Sequence, residues 1–323
     1  MKHLFGPVLS RRLGRSLGID LLPAKICTFN CVYCEVRTPS RRTCQRQEYV
    51  PTGEILEELA AFLAKERGQP ACEVFTVTAS GEPTLHTGIG QVIAFLKAQA
   101  PDRPVAVLTN GTLLGNAEVR ADLAAADIVV PSLDACREES FLRVNRPAPG
   151  IRLAELIAGL VAFRRGYRGQ CWLEILFVAG INDAPADIAC LKEAVAAIRP
   201  HRIQVNTVAR PPLEPFARPV PPDRLAALAQ ELGEHTEVIA GRAAERGPAL
   251  GPVAEAEILA LVQRRPETAP AIARALGLSD PETLAALDRL HEAGQVTAMA
   301  HQGRTYFVPA GRPRKASTPG RQG

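Results

Sequence analysis

Three cysteines stand within eight residues, in the string Cys27-Thr28-Phe29-Asn30-Cys31-Val32-Tyr33-Cys34. Thiolates so spaced let one short loop wrap three corners of an iron-sulfur cube, because thiolates are the usual ligands of such clusters. Electron-carrying clusters take four thiolates, so three leave one iron with an open position, which is a place for chemistry. Two other metal readings stand beside this one. Cys44 would complete a closed tetrahedral zinc site, and a plain electron carrier would need a fourth cysteine at a usual spacing, which the sequence lacks. Cys72, Cys136, Cys171 and Cys190 are scattered and mostly adjoin apolar segments, so they are expected to be buried structural thiols.

The loop needs elements to hold it. From about Ser16 to Ile239, short β-branched runs alternate with amphipathic stretches. Strands are expected at Gly18 to Leu22, Val74 to Thr78, Val105 to Leu108, Ile128 to Val130, Trp172 to Val178 and Arg202 to Thr207. Between them, Gly53 to Arg67 sets Ile55, Leu59, Phe62 and Leu63 on one helical face behind an N-cap at Thr52. Further helices are expected at Gly88 to Gln99, Ala117 to Ala125, Leu153 to Arg165 and Ala186 to Ile198. Strand and helix in alternation predict an α/β fold with a parallel sheet, open or closed into a barrel. Functional side chains in such folds follow the strands.

The polar residues after the strands fit that rule. Ser80-Gly81-Glu82-Pro83 follows the second strand, Thr109-Asn110-Gly111 the third, Ser132-Leu133-Asp134 the fourth and Gly180-Ile181-Asn182-Asp183 the fifth. Taken singly, Glu82 would serve as a helix cap, and Ser132 or Asp134 would satisfy loop backbone. Taken in order, with the CxxxCxxC cysteines and Tyr33 before the last of them, the sequence resembles the radical S-adenosylmethionine superfamily over about residues 6 to 240. The resemblance implies a partial (β/α)6 TIM-like barrel with a [4Fe-4S] cluster on Cys27, Cys31 and Cys34. It also implies that S-adenosylmethionine chelates the open iron and is split to a 5′-deoxyadenosyl radical. Ser80, Gly81, Glu82 and Pro83, similar to the family's GGEP motif without its first glycine, are then expected around the methionyl amine. Ser132 and Asp134 would meet the ribose, and Gly180 and Asn182 the adenine; Tyr33 and Asn110 complete the expected cofactor contacts. A one-electron donor of the flavodoxin or ferredoxin kind is implied as well.

A finer resemblance, to iron-sulfur oxidoreductases related to the wyosine base synthases, rests on Ser10 to Gly18, Glu48-Tyr49-Val50-Pro51, Asn145-Arg146-Pro147 and Gln204-Val205-Asn206-Thr207 with Arg210-Pro211-Pro212. Those synthases rebuild a guanine in transfer RNA and carry a second cysteine set ahead of the first; here no cysteine precedes Cys27. Lys25 is the candidate for their substrate-bound lysine, by proximity alone. Arg143, Asn145, Arg146 and Asn206 are candidates to reach substrate, and no catalytic residue is assigned.

Beyond the barrel, 241 to 252 reads as a linker. Helices at Ala254 to Gln263, Ala269 to Leu276 and Pro281 to Ala293, then a hairpin from Gln295 to Met299 and Arg304 to Val308 turning at Gln302-Gly303, give the order of a winged helix over 253 to 310. The third helix carries Asp280, Glu282, Asp288 and Glu292 against Arg289, a face that repels a phosphate backbone. The tail, 311 to 323, is basic and proline-containing and is expected to be disordered.

A net charge of +4 excludes a polyelectrolyte binder, yet residues 1 to 50 hold nine Lys and Arg against three Asp and Glu. That local excess, either a solvated surface or an anion site, fits an anionic partner such as RNA near the cluster. No apolar run reaches membrane-spanning length and the first ten residues lack the zones of a secretory signal, so a cytoplasmic protein without membrane contact is expected. Three functions stay open. One is a radical enzyme acting on an RNA base or nucleotide. The second is a radical enzyme acting on a peptide, protein or small metabolite presented by the winged helix. The third is a non-catalytic iron-sulfur regulator bound to DNA.

Overall fold

The structure is a computed structural model, and it describes residues 2–10, 12–36, 38–66, 70–240 and 255–311. The expected linker, 241 to 252, and the tail from 312 onward therefore lie outside the described residues.

The chain opens with two antiparallel strands, β1 (Leu4–Ser10) and β2 (Gly14–Asp20), followed by the very short β3 (Ile26–Cys27) and β4 (Arg41–Arg42), which pair with each other. Alternation then sets in: α1 (Thr52–Lys65), β5 (Val74–Thr78), α2 (Ile89–Gln99), β6 (Val105–Thr109), α3 (Ala117–Asp122) and β7 (Ile128–Pro131). Two helices, α4 (Glu138–Val144) and α5 (Leu153–Gly166), precede β8 (Gln170–Phe177), α6 (Pro185–Ile198), β9 (Arg202–Thr207), α7 (Pro222–Leu232) and β10 (Thr236–Val238). The strands order as β1-β2-β5-β6-β7-β8-β9-β10, parallel from β2 onward. Six of them, β2 and β5 to β9, are the strands expected from the sequence.

The sheet curls into a partial barrel. At about 4.8 Å per strand, β2 and β9 would stand roughly 24 Å apart on a flat sheet. Yet Arg12, in the β1–β2 turn, reaches Glu174 on β8 at 3.0 and 3.1 Å and Gln204 on β9 at 3.2 Å. Only curling brings those strands within one side chain's length. Outside, α2 covers the sheet with Ile89, Val92, Ile93 and Leu96, and α5 with Leu156, Leu160 and Phe163, all buried. Strands covered on both faces are the rule for parallel sheets. Thr52 is the first residue of α1 and not its cap; its hydroxyl donates to Glu48 Oε1 at 2.6 Å.

Three helices, α8 (Glu255–Arg264), α9 (Ala269–Leu276) and α10 (Asp280–Glu292), and the hairpin β11 (Val296–His301) and β12 (Arg304–Pro309) follow. Ser279 and Glu282 form a reciprocal capping box at α10, and the hairpin turns through Gln302 and Gly303, both with positive φ, as a tight antiparallel hairpin requires. The apolar centre of this unit, with Ile258, Leu261, Ile272 and Leu287, also contains Val8 of β1. It is thus built against the barrel's edge strand.

Candidate functional site

Cys27 ends β3, and the loop behind it carries Cys31 and Cys34; Cys27 is buried and the other two are half-buried. Each sulfur accepts from at least one N–H. Phe29 N and Asn110 Nδ2 donate to Cys27 Sγ at 3.5 and 3.6 Å, Asn145 Nδ2 to Cys31 Sγ at 3.5 Å, and Lys25 Nζ to Cys34 Sγ at 2.8 Å. Burial, with Glu82 nearby, pushes the Cys27 thiol up to about 12, and burial with Asp134 raises Cys31 further. Cys34 adds to the rise at both, and Cys27 adds to it at Cys31. Protons must therefore leave when a metal binds. Among the described residues no three His, Cys, Asp or Glu side chains gather closely enough to hold a single metal ion. Cys44, the fourth thiol that a zinc tetrahedron would need, lies exposed, whereas Cys27 is buried. Spread thiols with donors on every sulfur suit a cluster, whose potential such donors tune.

The turn after β5 is pressed onto this loop. A Cβ on Gly81 would sit 1.8 Å from the carbonyl oxygen of Ile26, and Glu82 N donates to that same oxygen at 3.0 Å. The Glu82 carboxylate is 1% exposed and fully engaged. Its Oε1 accepts from Thr84 N at 3.1 Å and from the hydroxyls of Thr84 and Thr109 at 2.6 Å each; its Oε2 accepts from Asn110 N at 2.7 Å. Burial raises its pKa against these donors. The side chain thus clamps the β5 turn to the end of β6, and Pro83 starts a one-turn 3-10 helix beneath it. Ser80 is held from the other side by Asp20, at 2.7 Å through its hydroxyl and 3.1 Å through its N–H.

A second knot forms around Asp134. Tyr33 Oη and Asn145 Nδ2 donate to its Oδ2 at 2.6 and 2.7 Å, and Leu176 N to its Oδ1 at 3.0 Å. Burial nevertheless lifts the carboxyl to about 6. Asn182, fully buried, donates to the carbonyls of Asp134 and Leu176 and accepts from Val178 N, closing the β8 turn. Gly180, with φ +73° and no atom within 4 Å of a would-be Cβ, faces open space. Ser132 bridges to Glu174 of β8. Of the expected cofactor contacts, then, the side chains of Glu82, Asp134 and Asn182 are spent on the scaffold, while Tyr33 and Ser80 line a cavity.

That cavity, about 430 Å³, runs from Tyr33, Cys34 and Ser80 into the barrel at Ser16, Glu174 and Asn206, and is walled on its far side by α8 and α9. Asn206 donates to Glu174 Oε1 at 3.1 Å. Arg143 is exposed and touches the Gly180 carbonyl at 3.3 Å, and Arg146 pairs with Glu214 at 2.7 Å.

Residues 21–189, just over half of the chain, match the family model described as the Radical SAM superfamily. The chain belongs to the radical SAM superfamily. It is an enzyme of that superfamily, whose members use a [4Fe-4S] cluster and S-adenosylmethionine. Over 91% of its length it is 32% identical to a protein of Brachyspira hyodysenteriae named GTPase Obg, of which it spans 43%. It is 31% identical to a UPF0026 protein of Helicobacter pylori J99, across 91% of this chain and 93% of that one. A solved structure of TYW1 with a lysine-pyruvate adduct bound superposes with a TM-score of 0.51 at 19% identity, covering 72% of this radical SAM chain and 76% of that chain.

Sequence reasoning missed Asp20 and Glu174, which carry no motif, although an acid at a strand end was a usable signal for Asp20. It also expected free thiols at Cys136 and Cys190, which the structure joins in a disulfide. Cys136 lies just before α4 and Cys190 within α6, 54 positions apart, and spacing says nothing of such a meeting.

Proposed function

We propose that Cys27, Cys31 and Cys34 carry the [4Fe-4S] cluster and that the turns at Ser80–Pro83, Asn110, Ser132–Asp134 and Gly180–Asn182 shape the S-adenosylmethionine site. The observation that carries this is the N–H donor on every one of the three sulfurs. When bound, the two groups together supply a 5′-deoxyadenosyl radical that abstracts hydrogen from substrate. The chain does the rest: Lys25, Asn110 and Asn145 hold the sulfurs, Glu82 and Asp134 fix the turns, and the barrel wall excludes water.

The substrate is an RNA base or nucleotide, supported by exposed Arg41 and Arg42 on the strand paired with Cys27. A small metabolite is the second reading, favoured by the wall that α8 and α9 put across the cavity. We assign residues 1–240 to the barrel and 253–310 to a winged-helix unit, and place the protein in the cytoplasm with an acidic flavodoxin- or ferredoxin-like donor. Membership of an enzyme family argues against the DNA-bound regulator.

Anaerobically reconstituted protein should hold about four irons per chain and form 5′-deoxyadenosine after reduction. Cys31→Ala should lose both, and full cleavage by that variant would refute the assignment. Retention of RNA that falls steeply with salt favours the first substrate reading.

A further inference from the structure

The wall opposite the cysteine loop is basic. Arg264 at the end of α8, Arg265 just after it and Arg274 on α9 all line the cavity. The other two cavity arginines are committed: Arg12 to Glu174, and Arg210 to Glu35 at 3.0 Å and Glu267 at 2.9 Å. Glu267 is shared with Arg265 at 2.7 Å. Glu267 is thus divided between Arg210 and Arg265, and Asp20 at the end of β2 is the carboxylate nearest Arg264.

Arg264 is held in place with only a long ion pair to offset its charge. Its guanidinium lies 4.4 Å from the centroid of the Phe5 ring, and Phe5 can lie there because Gly18 has no side chain, where a Cβ would meet the ring at 2.0 Å. Its nearest carboxylate, Asp20, is 3.9 Å away and already accepts from Ser80 and Leu22. The Nε atom of Arg264 is buried with no hydrogen-bond partner among the described residues, while its Nη1 donates to the Ala260 carbonyl at 3.2 Å. Arg274 is half-buried and has no ion pair among the described residues. Leaving a buried donor unmet costs about 1–3 kcal/mol and more for a charged group, so a pre-positioned, unsatisfied guanidinium in a cavity is the mark of an anion site.

We infer that Arg264 and Arg274, with Arg265 beside them, bind the phosphate or carboxylate group of a small anionic substrate whose reacting end lies toward Cys34 and Ser80. The inference rests on the radical SAM reading for what happens at the other end of the cavity, and favours the small-metabolite reading of the substrate over RNA. The C-terminal unit is then the anion-recognising half of the substrate site. Burial already depresses the Arg264 pKa, and a bound anion would reverse that tendency.

The test uses the full chain, as isolated, with inorganic phosphate in one titration and glutarate in another, by calorimetry at low salt. One of the two should bind at one site per chain, and which one does separates a phosphate source from a carboxylate source. Arg264→Gln and Arg274→Gln should each weaken that binding at least about tenfold, one charge-assisted contact's worth. Arg289→Gln, whose partner Glu255 lies outside the cavity, should bind as wild type. Because Arg264 also packs on Phe5, Arg274→Gln with an unchanged melting temperature is the cleaner variant. No binding of either anion, or equal binding by Arg274→Gln, overturns the inference. So does displacement of the anion by S-adenosylmethionine, which would give the arginines to the cofactor. Since the titration needs no cluster, failure of S-adenosylmethionine cleavage leaves its result standing, and the two readings fail separately.

Discussion

Replacing Glu82 by Ala should unfold the cluster-free chain at a lower temperature, because its carboxylate is bonded to the scaffold. Two backbone donors and two hydroxyls converge on it. The threonine hydroxyls can turn to other acceptors; the N–H groups of Thr84 and Asn110 cannot. A buried, unmet N–H costs about 1–3 kcal/mol. Thr84 has no exposure and belongs near the top of that range, while Asn110 is half-buried and belongs lower, which together makes about 3–4 kcal/mol. Unfolding entropy near 2.1 cal/mol/K per residue, over a chain of 323 residues, turns that into a fall in apparent Tm of about 5 °C. Glu82→Gln keeps the oxygen that takes three donors and sets its amide against Asn110 N–H. It also removes a buried charge whose desolvation opposes folding, so its fall should be smaller. Differential scanning calorimetry of the metal-free protein is the assay. If Glu82 instead served mainly the methionyl amine, metal-free Glu82→Ala would melt within about a degree of wild type, and the clamp argument would be refuted.

Arg210→Ala should lower stability by about 3–5 kcal/mol, since it leaves Glu35 and the nearly buried Glu267 without the charge between them; a urea midpoint unchanged from wild type would contradict this. Gly81→Ala should cut reconstituted iron well below that of wild type, because the added methyl group must displace the Ile26 carbonyl and with it Cys27; iron assay of the variant at wild-type content would speak against that coupling. His86 is buried, accepts from Gly88 N at 3.0 Å and donates to Val50 O at 2.8 Å, and its burial lowers its pKa. A folded-state value below the unfolded one means its stabilisation is present above the ordinary 6.5 and is lost as pH falls. Wild type should therefore lose more stability than His86→Gln between pH 7.5 and 5.5, and a pH-independent difference between the two would dispose of the idea.

Much of the barrel was legible because each parallel strand is a β-branched run between amphipathic helices; β5 and β9 fall on the residues that pattern marks. β1 was missed, since Gly6 and Pro7 break the alternation of Leu4–Ser10 and the strand is an edge, where such breaks are tolerated. The cysteine loop was legible from spacing. The direction of the side chains behind it was not: a glutamate after a strand reads alike whether its carboxylate faces a ligand or four internal donors. Nor was the basic wall, because Arg264 gains meaning only from lying over Phe5, far earlier in the chain, and Arg274 only from lining the same cavity.

That distance in sequence bears on how the site is assembled. Glu35 directly follows Cys34, and it is bonded to Arg210 beyond β9, which is bonded in turn to Glu267 between α8 and α9. Tyr306 of β12 reaches the Ala209 carbonyl at 2.9 Å, and Val8 of β1 sits in the apolar centre of the C-terminal unit. The far end of the cysteine loop is thus held by the same C-terminal unit whose α8 and α9 wall the cavity. A barrel lacking them would keep the sulfur donors Asn110 and Asn145 but lose half the neutralisation of Arg210 and the cover over Val8. The position of Cys34 and the shape of the cavity in front of it are therefore set together, by one chain of contacts running from the C-terminal unit to the cysteine loop.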